Sequence, residues 1–182
     1  MSLDQELWSP VAFDHVVLAF LSGEWHKLAT LAWLNRSLVT DPDLQSPLEN
    51  TIRLLLLQSI RSGLLMRIPV TTKWFRVSSL QRDHLNQLLV IGRCNLAGTE
   101  DGHGLREVAA RRAPKELLDE PQNWASPILW GHAPGAPLSI LEGNHRLLAY
   151  AATSHPPVLD IDCYVGLSED LCCWHSNDEI GS

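Results

Sequence analysis

The sequence predicts an α+β protein, a small mixed sheet wrapped by helices and preceded by about 70 residues that read as helical throughout. Three observations predict it. Before about residue 70 the apolar residues recur at helical intervals. After it, short runs of strand-like composition alternate with helical ones, and Leu138 to Tyr150 passes from alternation, through Gly143, to helical spacing. Finally, 182 residues with 45% hydrophobic content can bury a real core. The implied division is a helical extension over residues 1–70 and an α+β domain over residues 71–182.

Taken in order, Asp14 to Leu21 and Glu24 to Leu34 form a helical hairpin broken at Ser22-Gly23. Trp8, Trp25 and Trp33 lie in this region, and Trp25 and Trp33, eight residues apart, share a helical face and read as core. Ser46-Pro47-Leu48-Glu49 then supplies an N-cap, a proline at the first helical position and an acid at the third. A long helix should follow. Ile52, Leu54 to Leu57 and Ile60 make it apolar around much of its circumference, with Gly63 as its end and Arg53, Arg61 and Arg67 solvated or paired near its edges.

Lys73 to Val77 has the composition of a strand, and Ser78-Ser79-Leu80-Gln81 reads as the cap of a helix running to about Ile91. The glycine-rich segment Gly92 to Gly104 is either a plain surface loop or a lid whose Glu100, Asp101 and His103 close over a bound phosphate ester. Ile128-Leu129-Trp130 is short enough for a buried strand, and Gly131 to Pro137 is a turn that places Trp130 and His132 near one end of the sheet. After the Leu138–Tyr150 stretch, Val158 to Val165 restores alternation with Asp160 and Asp162 on one face, and Gly166 opens a last helix through Trp174.

Composition narrows the functions. Lys and Arg total 14 against 21 Asp and Glu, a formal charge of −7 that disfavours a protein whose main task is gripping nucleic acid. No apolar stretch is long enough to span a bilayer and no charged segment followed by an apolar run opens the chain, so a cytoplasmic protein without a membrane partner is expected. The cysteines, Cys94, Cys163, Cys172 and Cys173, contain no C-x-x-C pair, and Cys172 and Cys173 read as small apolar residues on a C-terminal helix. The eight His residues show no local metal-binding spacing.

Charge collects where Leu138–Tyr150 breaks. Gly143 lets the chain turn, the first amides of the following helix have no intrahelical partners, and His145 and Arg146 stand beside them. Backbone donors, helix dipole and guanidinium together suit a phosphate or carboxylate. The plainer alternative is that His145 and Arg146 cap a helix and pair with carboxylates. By strand alternation Glu142 shares a side with Ile140, opposite Leu141; it is therefore either buried and in need of a partner, with Arg146 nearest, or open to the anion pocket.

Ile140-Leu141-Glu142-Gly143-Asn144-His145-Arg146-Leu147-Leu148-Ala149-Tyr150 resembles the strand-G-x-H-R-helix signature of the ParB/sulfiredoxin-like superfamily, with the resemblance extending over about residues 73–174. It implies that Gly143, Asn144, His145 and Arg146 bind the phosphates of a nucleotide and that Glu142 takes the position of the family's frequent acidic residue. Sulfiredoxins carry a reactive cysteine where this chain has Asn144, so their chemistry is not implied. The expected activity is nucleotide-dependent phosphotransfer to a small hydroxylated substrate, with Glu142 and His145 catalytic and a nucleoside triphosphate with Mg²⁺ as cofactor. The alternative is a nucleotide-gated module without turnover, whose helical N-terminal part docks on a protein partner. DNA association by analogy with ParB is the least favoured, because the chain is acidic and has no recognisable helix-turn-helix.

Overall fold

The computed structural model describes residues 8–28, 36–78, 80, 82–90, 103–105, 109, 125–152 and 162–170. In chain order the elements are β1 (Trp8–Val11), α1 (Phe13–Gly23), α2 (Trp25–Leu28), α3 (Ser37–Thr40), α4 (Pro47–Leu65), β2 (Lys73–Val77), a 3-10 helix (Arg82–Gln87) and β3 (Leu88–Val90). There follow β4 (His103–Gly104), β5 (Ile128–Gly131), β6 (Leu138–Glu142), α5 (Asn144–Ala152) and β7 (Cys163–Leu167). The seven strands form one sheet in the order β1-β2-β7-β5-β6-β3-β4. It is mixed: β5 runs parallel to β7 and β3 to β6, and the other neighbours are antiparallel.

Both faces of the sheet are covered, as the fully buried β5 requires. On one face Leu129 packs with Val77, Ile140, Val165 and with Leu147 and Leu148 of α5. On the other, Ile128, Trp130, Trp74 and Leu141 pack with Val16, Phe20 and Leu21 of α1 and Leu57 of α4. The helices before residue 70 are therefore not packed apart from the sheet: they cover this second face.

Nor is that part all-helical. Trp8 to Val11 is an edge strand, registered from Trp8 opposite Val77 to Val11 opposite Trp74. Four residues containing Pro10 are too few to show a period, and an edge is where a strand tolerates a proline that cannot donate to the ladder. The cap of α4 is as expected: Ser46 Oγ accepts from Glu49 N at 3.3 Å. The helix continues past Gly63 to Leu65 and departs from helical dihedrals at Arg61 (φ −137°, ψ 31°). Its Arg53 is not solvated. It is fully buried, donating to Leu38 O at 3.1 Å and Asp43 O at 2.8 Å and pairing with Glu49 at 3.0 Å.

Three further expectations are corrected. The helix expected up to Ile91 is only the 3-10 helix, because Leu88 and Val90 are buried on alternate positions as β3 joins β6. The loop expected to run to Gly104 ends earlier, since His103 pairs with Val90 and Gly104 with Leu89. Gly166 and Leu167 continue β7 opposite Trp74 and Lys73 instead of starting a helix. Asp162 precedes β7 and binds Arg76, whose Nε donates to its carboxylate at 2.8 Å. Trp33, Asp160, Cys172, Cys173 and the expected C-terminal helix beyond Asp170 lie outside the described residues.

Candidate functional site

The G-x-H-R turn joins β6 to α5. Gly143 has φ +94°, a conformation other residues rarely adopt, and a Cβ there would stand 3.3 Å from Cβ of Pro127. Leu147 N donates to Gly143 O at 2.9 Å, which makes Gly143 the N-cap and leaves the amides of Asn144, His145 and Arg146 without intrahelical acceptors. Asn144 is buried; its Nδ2 donates to Ile140 O at 3.2 Å, and its Oδ1 has no hydrogen-bond partner among the described residues. His145 is exposed. The four signature residues are thus brought together, two inside and two toward the rim.

The side on which Glu142 lies departs from simple alternation. Leu129 of β5 pairs with Ile140, yet Ile128 pairs with Glu142, so one extra residue, Leu141, is accommodated in β6. Such a bulge turns the following residue over. Glu142 therefore shares the face of Ile128 and Leu141, the face covered by α1 and α4, and meets partners that its own segment does not reveal. Arg146 Nη2 donates to Glu142 Oε1 at 3.1 Å, and Arg61 Nη2 lies 3.6 Å from Glu142 Oε2. Arg61 also binds Glu24, which caps α1 and is 2% exposed. Arg146 Nη1 donates to Ala125 O at 2.8 Å.

Glu24, Arg61, Glu142 and Arg146 thus form a formally neutral chain of two carboxylates and two guanidiniums. It runs from the end of α1, across the kink in α4, to the start of α5. Gly23 makes room for it, because a Cβ there would lie 3.0 Å from Glu142 Oε1 and 3.3 Å from Arg146 Nη2. Burial pulls the pKa of Arg146 down and the adjacent Glu142 carboxylate raises it back in part, so the guanidinium keeps its charge. Both sequence alternatives for Glu142 assume the side of Ile140; it lies on the opposite side, partly buried, with Arg146 and Arg61 as partners. Gly23, Glu24 and Arg61 were not singled out for the site. The only local signal was a charged residue, Arg61, inside an apolar helix.

Trp130 and His132, in edge-on contact at 5.2 Å between ring centroids, lie at the opposite end of β5 from this turn. There the chain forms an open cleft of about 500 Å³, with Phe75 and Leu167 as apolar lining and Lys73, His132, Glu169 and Asp170 as polar lining. Its hydroxyls are engaged with each other: Thr71 Oγ1 and Ser168 Oγ are 2.9 Å apart, and Thr71 also donates to Asp170. Of the lid residues, Glu100 and Asp101 lie outside the described residues and His103 is held in β4.

Among the described residues no group of three or more His, Cys, Asp or Glu is placed to hold a metal ion. With Glu142 already between two arginines, the described donors at the turn do not fit a protein-held Mg²⁺. Cys163 is buried and its thiol is pushed up to about 12, chiefly by desolvation, so it is no nucleophile at neutral pH. Among the described residues no helix is long and apolar enough to cross a membrane. Comparison with protein-family models, with curated proteins and with solved structures finds no match.

Proposed function

We propose that this chain is a nucleotide- or phosphate-binding domain of the ParB/sulfiredoxin-like type and that its ligand's phosphate sits on the Gly143 turn. The observation that carries the reading is the left-handed Gly143, which leaves the first amides of α5 without intrahelical acceptors at the turn. Neutralisation of Glu142 by Arg61 and Arg146 supports it further, because a bare carboxylate beside a phosphate would repel it. The buried Asn144 Oδ1 is an acceptor that a ligand hydroxyl would satisfy.

In the enzymatic form of the proposal the domain transfers a phosphoryl group to a small hydroxylated substrate, with His145 and the turn amides neutralising charge on the phosphates. Glu142 serves as acid or base only after exchanging an arginine for the substrate. The non-enzymatic form, a nucleotide-gated interaction module, is favoured by one specific feature: the Glu24–Arg61–Glu142–Arg146 chain runs from the turn into α1 and α4.

A thermal-shift screen of nucleotides with and without Mg²⁺ tests binding, followed by calorimetry on wild type, His145→Ala and Arg146→Lys. His145 is exposed, and far-ultraviolet dichroism of that variant checks that the fold is kept. The expected result is a nucleotide-dependent rise in melting temperature and an affinity at least about tenfold weaker in both variants. Equal affinity in all three proteins overturns the site. Product formation with a candidate hydroxylated substrate then separates the two forms: in an enzyme Glu142→Gln loses rate and keeps nucleotide affinity.

A further inference from the structure

The end of the sheet away from Gly143 carries a cleft of its own. Parallel strands β5 and β7 finish there side by side, with Gly131 opposite Leu167. The chain leaves β5 for β6 on one side and leaves β7 toward Thr71, ahead of β2, on the other. In open sheets such diverging connections at the carboxyl ends of parallel strands leave a crevice for a ligand. Here it is the cleft of about 500 Å³, a size that suits a small organic molecule. Its walls are tied together. Ser168 N donates to Gly131 O at 3.2 Å, and Ala136 N donates to Ala133 O at 3.2 Å across a turn in which Gly135 has φ +82°. The lining between them is apolar: by register Phe75 and Leu167 share one face of the sheet, and Trp8 packs against Phe75 with ring centroids 5.4 Å apart.

The polar rim decides what enters. Thr71 donates its hydroxyl proton to Asp170, so in the 2.9 Å contact between Thr71 Oγ1 and Ser168 Oγ the donor is Ser168. Ser168, 5% exposed, also accepts from Asp170 N at 3.2 Å. Both hydroxyl protons are therefore spent inside the cluster, and what it still offers a ligand is acceptors, the Asp170 carboxylate and a lone pair of Thr71. Glu169 adds a second carboxylate to the lining, against the single ammonium of Lys73, so an anion is disfavoured and a cationic donor favoured. We propose that the cleft binds a small molecule consisting of a primary ammonium on an apolar body, the ammonium donating to Asp170 and Thr71 and the body lying on Phe75 and Leu167. A primary ammonium has only donors to satisfy, which is what an acceptor-only rim provides. Two sources share this chemistry, a free amine and an amino acid, and Lys73, in the same lining, would hold the carboxylate of the second. The site is independent of the phosphate proposed for the turn at the other end of β5.

The test is a titration of the full chain followed by two-dimensional amide NMR, with phenethylamine, N-acetylphenethylamine and phenylalanine as probes. Phenethylamine should give saturable shifts with a dissociation constant of about 1 mM or tighter. The acetylated probe, which keeps the apolar body and loses the charge, should give none. Phenylalanine separates the sources: binding tighter than that of phenethylamine, with the difference lost in Lys73→Ala, identifies an amino acid, and binding no tighter identifies a free amine. Asp170→Asn, at an exposed position, should weaken phenethylamine at least about tenfold while the dispersion of the spectrum is kept. No saturable shift up to about 10 mM phenethylamine, equal binding of the acetylated probe, or an unchanged affinity in Asp170→Asn overturns the proposal.

Discussion

Two arginine clusters on α4 are built on opposite plans. Arg53 has all its partners nearby in the chain, Leu38, Asp43, Glu49 and Asn50, so it fastens the α3–α4 connection to the first turns of α4. Arg61, two turns further on, binds Glu24 and Glu142 and through Glu142 meets Arg146, joining residues separated by most of the chain. The first cluster can form as soon as its own segment folds. The second exists only when α1, α4, β6 and α5 are all in place. Burial alone therefore does not tell what a charged residue does; the separation of its partners does.

Substitutions can break this comparison or sharpen it. Arg61→Met should have the largest effect, about 3–5 kcal/mol in urea unfolding, because it leaves Glu24 buried without that guanidinium. Arg53→Met should cost less, about 2–3 kcal/mol, since the groups it abandons are chiefly carbonyls at a surface connection. Hydrogen exchange separates the two mechanisms. Arg61→Met should loosen the amides of α5 and Arg53→Met should not, and equal protection of α5 in both variants would erase the distinction. Gly143→Ala should cost about 1–3 kcal/mol through backbone strain at φ +94°.

The smallest effects belong outside both clusters. Arg76→Ala removes a pair in which the arginine side chain is 55% exposed, and should change stability by less than about 1 kcal/mol. Cys163, its thiol held up to about 12, should resist iodoacetamide at pH 8 in the folded protein and react once urea unfolds it, as mass spectrometry would show.

The parts legible in the sequence are those fixed by neighbours. Ser46, Pro47 and Glu49 announce the start of α4, and Ile140 to Tyr150 announces a strand, a glycine turn and a helix; both are as read. What was not legible is set by distant partners. Trp8 to Val11 becomes a strand only because β2 lies beside it, and Leu88 to Val90 leaves the helical pattern only because β6 does. The burial of Arg53 is completed from outside α4, by the carbonyls of Leu38 and Asp43, and Arg61 finds Glu24 and Glu142 on other elements. At the site, the glycine, asparagine, histidine and arginine were readable. The bulge at Leu141 that brings Glu142 to Arg61 is a property of pairing with β5, which no local pattern encodes.

The strand order carries a consequence for how the chain is made. β7, the last strand in chain order among the described residues, lies in the interior of the sheet between β2 and β5, and among those residues it alone connects the pair β1-β2 to the group β5-β6-β3-β4. Until residue 167 has left the ribosome the sheet exists as two fragments, each with an open edge where β7 belongs. The described sheet is therefore completed by an insertion rather than an addition, and the nascent chain must keep those edges apart from other strands while it waits. A chain shortened before Cys163 would lose the middle of the molecule, not its margin.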